Sequence, residues 1–244
     1  MTILQKLFRL GCAAALAILV AYPNARADEG DPAVEGHPLD QIPMYGEGRL
    51  PEELQKANRE LVRDAYKTGA SLTSASNTAI DEGWEALSTG DTKTAIRRFN
   101  QAWLLDRRNG AVYWGFGVVL YERDSDVKGA LKMLRRAHRL QPQNPYLLVD
   151  YGRVLEENGK AHEAAPLFLD AVSIDANTKY VYVGLVRAYL KSYDLENALL
   201  FAFEGKDHGD PISDELIAAL EDLSKSGAVL TAEVKLPAVP EWAQ

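Results

Sequence analysis

Cysteine is almost absent from this chain of 244 residues, in which Cys12 is the only one. A single thiol excludes a disulfide framework and a cysteine-rich zinc site. Positive charges are outnumbered by negative ones, since the chain has 27 Lys and Arg residues and 35 Asp and Glu residues, for a formal net charge of −8. A nucleic-acid-binding surface needs clustered positive charge, so we expect no nucleic acid among the partners.

Local signatures of catalysis are missing as well. The sequence contains neither the GxxxxGKS/T phosphate-binding loop nor the GxSxG nucleophile elbow. His162-Glu163 begins an HExxH zinc motif, but Pro166 stands where the second histidine is required. Residues 207–210 combine acids with His208, and a polar turn between two helices accounts for them without a metal. We therefore predict a chain that is not an enzyme and has no metal and no cofactor.

The N-terminus has the pattern of an export signal. Lys6 and Arg9 precede an apolar run over residues 10–22, and Ala25-Arg26-Ala27 has the small-x-small pattern of a cleavage site. The apolar run is shorter than the roughly 20 residues that a membrane-spanning helix needs. We predict a cleaved signal peptide over residues 1–27, export by the general secretory route and a periplasmic location.

Cys12 raises a lipoprotein alternative, but Arg9 lies three residues before it, where a lipobox has an aliphatic residue. After cleavage no transmembrane anchor is expected, while association with the outer membrane stays open. The assignment to a bacterial periplasm depends only on the character of the signal and of the fold.

The rest of the chain is patterned for helices. Residues 28–50 are rich in glycine and proline, which predicts a flexible tether. Residues 51–75 begin with Pro51 and two acids and read as a leading amphipathic helix. Residues 211–227 read as a capping helix that ends at Gly227, and residues 228–244 form a loose apolar tail with two prolines, predicted to be extended.

Internal repetition dominates the middle of the sequence. Five small or bulky residues recur with the same offset of 69 positions: Gly83, Gly90, Ala95, Phe99 and Ala102, then Gly152, Gly159, Ala164, Phe168 and Ala171. The intervening stretch supplies a related set with one extra residue in a turn: Gly117, Ala130, Leu134 and Ala137. The offset of 69 is therefore two units, of 34 and 35 residues.

These residues and this spacing resemble the tetratricopeptide repeat, whose unit is a pair of antiparallel helices. The resemblance covers an array over residues 76–210, with units 76–109, 110–144, 145–178 and 179–210. It implies an all-α fold, a helix-turn-helix solenoid of about four repeats with a capping helix at each end, since terminal repeats otherwise expose core surface.

The resemblance also implies a concave groove, formed by the first helices of the units. Positions 2, 5, 9 and 12 of each unit are expected to face it, which selects as candidate partner-binding residues Trp84, Trp114, Val118, Tyr121, Tyr146, Arg153, Tyr180 and Arg187. Aromatic residues and arginine are enriched at binding hot spots. Alternatively, individual rings of this set pack into the core of the array.

Two arginines of this set stand one repeat apart. Arg153 and Arg187 could together grip an acidic group of a partner, since each guanidinium can donate two hydrogen bonds. The alternative is that they form local ion pairs with acids such as Glu156.

The function that follows is that of a non-catalytic scaffold or adaptor. We expect it to bind a protein segment in its groove during envelope assembly, secretion or complex maturation. The second possibility is a periplasmic carrier whose aromatic groove holds a lipid or another apolar small molecule. The tail could also occupy the groove and compete with a partner.

Overall fold

The computed structural model describes residues 36–69 and 71–227. Two short 3-10 helices, Leu39–Gln41 and Pro43–Glu47, come first. Ten α-helices follow: α1 Glu52–Lys67, α2 Leu72–Ser88, α3 Thr92–Leu105, α4 Gly110–Asp124, α5 Val127–Leu140, α6 Pro145–Glu157, α7 Ala161–Ile174, α8 Val181–Lys191, α9 Leu195–Asp207 and α10 Asp214–Ser226. The described part of the chain has no β-strand. The all-α prediction is confirmed.

The helices form consecutive antiparallel pairs, and four such pairs constitute units 1 to 4. They are α2 with α3, α4 with α5, α6 with α7, and α8 with α9. Side chains at the turns begin several helices: the carboxylates of Asp91, Asp126 and Asp194 accept backbone N–H groups of α3, α5 and α9. The second helix of each unit also packs on the first helix of the next, which builds the predicted solenoid.

Two phenylalanine rings set the spacing between units. Phe99 of α3 lies against Gly83 of its own unit and Gly115 of the next, and a Cβ atom added at Gly115 would approach the ring to 2.5 Å. Phe168 of α7 has the same relation to Gly152 and Gly184. Both rings are fully buried. These glycines are required because no side chain fits between the ring and the backbone.

The boundary between units 2 and 3 is built differently. The residue equivalent to the two phenylalanines is Leu134, which lies against Gly117 of its own unit. The position that holds Gly115 in unit 2 and Gly184 in unit 4 holds Asp150 in unit 3. At this boundary leucine therefore replaces phenylalanine, and aspartate replaces the glycine that contacts the ring. A carboxylate thus lies at a position that holds glycine at the other two boundaries.

Part of the predicted tether is packed rather than flexible. Leu39, Met44 and Tyr45 are buried, and the segment lies on α3. The glycines and prolines of this segment permit tight turns, and its apolar side chains add to the core. Residues 37–45 are therefore packed on the helices, in contrast to the flexible tether predicted for residues 28–50. The region predicted as one leading helix, residues 51–75, contains α1 and the first turn of α2.

At the other end α10 packs on α9, and its side chains Leu216, Ile217 and Leu220 are buried. It begins at a Ser213 cap and ends at Gly227, whose backbone is left-handed with φ of 65°. The predicted signal peptide and the C-terminal tail lie outside the described residues. Within residues 36–69 and 71–227, no helix combines the length and the apolar character needed to cross a membrane.

Candidate functional site

The first helices of successive units contact one another directly, α2 with α4, α4 with α6 and α6 with α8. They form a continuous surface, called the groove below. Of the predicted groove residues, Trp84, Trp114, Tyr121, Arg153, Tyr180 and Arg187 are half-buried and Tyr146 is exposed. Val118 is a correction: it is buried, with 4% of its surface exposed. It therefore packs within the array and offers no open binding surface.

An aromatic row crosses the first unit boundary. The rings of Trp84 and Trp114 lie 4.6 Å apart, centroid to centroid, at a tilt of 55°. Trp84 also packs edge-on against Phe99 at 5.4 Å. The ring that spaces the units therefore also holds the groove tryptophan in place. Contacts of this kind fix the orientation of both indoles before any partner arrives.

The boundary of units 2 and 3 adds a polar link to this row. The indole Nε1 of Trp114 donates a hydrogen bond to Asp150 Oδ2 at 2.7 Å. Although 27% of the Asp150 side chain is accessible, burial raises the pKa of its carboxyl, while Arg153 and the Trp114 N–H act in the opposite direction. The carboxylate orients the indole and is itself held by a cation.

Tyr121 lies about two turns further along α4 and makes an equivalent link to unit 3. Its hydroxyl donates to Glu157, and the guanidinium carbon of Arg153 lies 5.4 Å from the centre of its ring. Burial, followed by the nearby charge and hydrogen bond of Glu157, raises the pKa of Tyr121 to about 12. The phenol is therefore a neutral donor throughout the physiological pH range.

Both candidate clamp arginines already have acidic partners. Arg153 Nη2 lies 3.2 Å from Glu122 and 3.7 Å from Asp150. Arg187 Nε lies 3.2 Å from Glu156, whose other oxygen is 2.6 Å from Lys191 Nζ. The structure thus has the local ion pairs, and Glu156 pairs with Arg187 of the next unit rather than with Arg153.

The acids that organise the groove were not among the residues predicted from the sequence. Glu122, Asp150 and Glu157 lie off the four positions per unit that were expected to face it. Their signal was available as repeated offsets: Trp114 to Asp150 and Tyr121 to Glu157 are both 36 residues, and Glu122 to Arg153 and Glu156 to Arg187 are both 31. These equal separations in sequence were the available sign that the groove residues are linked between units.

The loop over residues 207–210 has a structural role. The Asp210 carboxylate accepts hydrogen bonds from the backbone N–H groups of Tyr180, Tyr182 and Val183, at 2.8, 3.0 and 3.2 Å. It therefore caps the start of α8. Among the described residues, no group of three or more His, Cys, Asp or Glu side chains is placed to hold a metal ion.

Solved structures with the same arrangement of helices are only distantly similar in sequence. An O-GlcNAc transferase mutant from Thermobaculum terrenum aligns over 57% of this chain and 27% of its own, with 20% identity and a TM-score of 0.52. The MamA protein aligns over 77% of this chain and 100% of its own, with 15% identity and a TM-score of 0.48. No protein-family model and no curated protein matches the sequence.

The transferase comparison supports a tetratricopeptide-like fold and nothing more specific. At this level of identity the likeness concerns the path of the backbone, and fold alone does not determine function. This chain spans only about a quarter of the transferase chain. Function must therefore be argued from the groove.

Proposed function

We propose that the chain is a non-catalytic periplasmic adaptor that binds a segment of a partner protein in its groove, during envelope assembly, secretion or complex maturation. The observation that carries this proposal is the row formed by Trp84, Trp114 and Tyr121. These rings are half-buried, so each is packed on one side and accessible on the other. Partly accessible aromatic rings at a concave surface are typical anchors for a partner.

Pre-organisation makes these rings effective anchors. Trp114 is fixed by Trp84 on its face and by Asp150 at its N–H, and Tyr121 is fixed by Glu157. Binding therefore costs little side-chain conformational entropy at these positions. A tetratricopeptide-like solenoid presents such a surface to an extended or helical segment, which supports a protein as the partner.

The arginines contribute in a secondary way. An acidic group of a partner reaches Arg153 only by exchanging with Glu122, whose side chain is 42% exposed. Exchange at Arg187 is harder, because Glu156 is completely buried. The groove therefore takes a segment held mainly by its apolar side chains, with one exchangeable ion pair at Arg153.

The proposed location depends on the signal pattern of residues 1–27 and on the paucity of cysteine, which suits an oxidising compartment. A lipid or apolar carrier is the second candidate. The charged side chains of Asp150, Arg153 and Glu157 lie alongside the aromatic row, and burying them under an apolar ligand would carry a desolvation cost. The groove chemistry thus favours a peptide, whose backbone and side chains can satisfy these groups.

Affinity capture from native envelope, with bound lipid and protein both measured by mass spectrometry, tests this function. The wild-type chain should retain a stoichiometric protein that Trp114→Ala loses. Tyr66→Ala serves as the control, because Tyr66 is exposed on α1 outside the groove. Recovery of a lipid without a protein would favour the carrier, and equal capture by wild type and Trp114→Ala would remove the groove as the site.

A further inference from the structure

A second surface of the array is built to hold a peptide. It lies on the flank of α3 and holds residues 37–47 of the chain itself. Asn100, which is fully buried, makes three hydrogen bonds to the backbone of that segment. Its Nδ2 donates to the carbonyl oxygens of Asp40 at 3.0 Å and Ile42 at 2.9 Å, and its Oδ1 accepts from Met44 N at 2.8 Å. These bonds fix the direction and register of a peptide without reading its side chains.

Two arginines add charge to this surface. Arg97 Nε lies 2.6 Å from the Asp40 carboxylate, and Arg123 Nη2 donates to the carbonyl oxygen of Gln41 at 3.1 Å. Arg123 is itself oriented by two hydrogen bonds to Asp124. Because Arg97 belongs to unit 1 and Arg123 to unit 2, both units grip the segment.

Side-chain pockets complete the surface. Leu39, Met44 and Tyr45 of the segment are buried; Met44 belongs to the hydrophobic core of the array, and the Tyr45 hydroxyl donates to Asn58 of α1 at 3.4 Å. The segment thus presents an acid, followed four and five residues later by an apolar and an aromatic side chain. Backbone bonds, a charge pair and apolar pockets are the components of peptide recognition.

The chain's own segment does not use the surface fully. Met44 and Tyr45 have left-handed backbones, with φ of 54° at both, which L-residues with side chains rarely adopt. Arg123 Nη1 is buried and has no hydrogen-bond partner. A cavity of about 340 Å³, lined by Arg123, His37, Asp124 and Asp126, lies beside it. A ligand with a relaxed backbone and an acceptor for Nη1 would fit better.

We propose that this flank is a second peptide-binding site, separate from the groove, which residues 37–47 occupy in cis and which a segment of another protein takes in exchange. The partner segment carries an acidic side chain that pairs with Arg97, an apolar side chain four residues later and an aromatic side chain five residues later. The segment is joined to α1 through residues 48–51, and exchange breaks the hydrogen bond from the Tyr45 hydroxyl to Asn58 of α1.

The test uses the full chain and a fluorescent synthetic peptide of residues 36–48. In the double variant Asp40→Ala, Tyr45→Ala the cis segment is weakened, so the added peptide should bind at least tenfold more tightly than to wild type. Adding Asn100→Ala to this variant should return the affinity for the peptide to the wild-type value or below. Adding Arg97→Ala to the double variant should also weaken binding of the peptide, whose Asp40 it holds; Lys132→Ala is the matched control, because Lys132 holds in unit 2 the repeat position that Arg97 holds in unit 1.

Three outcomes would overturn the proposal. The first is a folded double variant that binds the peptide no better than wild type. The second is unchanged binding after Asn100→Ala, and the third is loss of binding after Trp114→Ala, which would place the peptide in the groove. If the double variant does not fold, Asp40→Ala alone should still bind the peptide more tightly than wild type, and equal binding would then contradict the proposal. If affinity capture shows that no partner binds the groove, the peptide experiment still tests this second site.

Discussion

Glu156 pairs with Arg187 across the boundary of units 3 and 4, and Glu122 pairs with Arg153 across the boundary of units 2 and 3. Both pairs are separated by 31 residues and both have a nitrogen–oxygen distance of 3.2 Å. They differ in burial, since the Glu122 side chain is 42% exposed and the Glu156 side chain is not exposed at all. We therefore expect the Glu156–Arg187 pair to contribute more to the free energy of unfolding than the Glu122–Arg153 pair.

We predict that Glu156→Gln lowers the free energy of unfolding by roughly 2 to 3 kcal/mol, because it leaves Arg187 and Lys191 without their shared carboxylate. The value is below that of a fully buried pair since Lys191 stays 43% exposed. Glu122→Gln is the matched control and should cost about 0 to 1 kcal/mol. Urea denaturation of the two variants measures both, and equal losses would contradict the role of burial.

The repeat register can be tested with an overpacking substitution. Ala171 is fully buried in α7, so Ala171→Leu should destabilise the fold by roughly 1 to 3 kcal/mol. Ala218→Leu is the control, because Ala218 is an exposed alanine in the middle of α10. Thermal unfolding followed by circular dichroism compares the two. Equal melting temperatures would show that the helices do not approach closely at Ala171.

The ionisation of Tyr121 should couple to stability at high pH. Its pKa is raised in the folded state from 10.0 to about 12. A raised pKa means that its contribution is complete below pH 10 and is lost as the pH rises through about 12. Tyr121→Phe should therefore lose less stability than wild type over this interval, as measured by denaturation at several pH values. Tyr66→Phe, at an exposed phenol, should behave like wild type.

For the groove, Trp114→Ala should weaken partner binding by on the order of 2 kcal/mol at every ionic strength, since an apolar anchor is lost. Arg153→Ala should mainly flatten the salt dependence, because it removes an exchangeable ion pair. Titration of the captured partner at low and high salt separates the two effects. If both folded variants bind as wild type does, the partner lies elsewhere on the array.

Export is tested independently of the fold. The mature protein should begin at Asp28 and be released by osmotic shock, as N-terminal sequencing of the released protein would show. An acylated Cys12 at the N-terminus, or an intact Met1 recovered with membranes, would contradict the cleaved signal.

The repeat pattern predicted the solenoid because small residues at helix contacts leave a direct mark in the sequence. The pairing of Phe99 and Phe168 with glycines is such a mark. The groove was predicted less completely, because its positions were selected from the repeat register alone. Partners such as Asp150 and Glu157 come from the following unit, and their distances depend on how the units pack. Nothing periodic marks residues 37–47, whose backbone is held by the buried Asn100 and by Arg123.

The boundary between units 2 and 3 has a mechanical consequence. Units 1 and 2 share the Phe99 ring, units 3 and 4 share the Phe168 ring, and only Leu134 holds that position between the two halves. A smaller buried side chain contributes less apolar stabilisation, so we expect local unfolding to separate the array there into two halves. The contacts of Trp114 with Asp150 and of Tyr121 with Glu157 span this seam. A partner segment bound to both halves would then oppose their separation. The array should therefore resist local unfolding most strongly when the partner is bound.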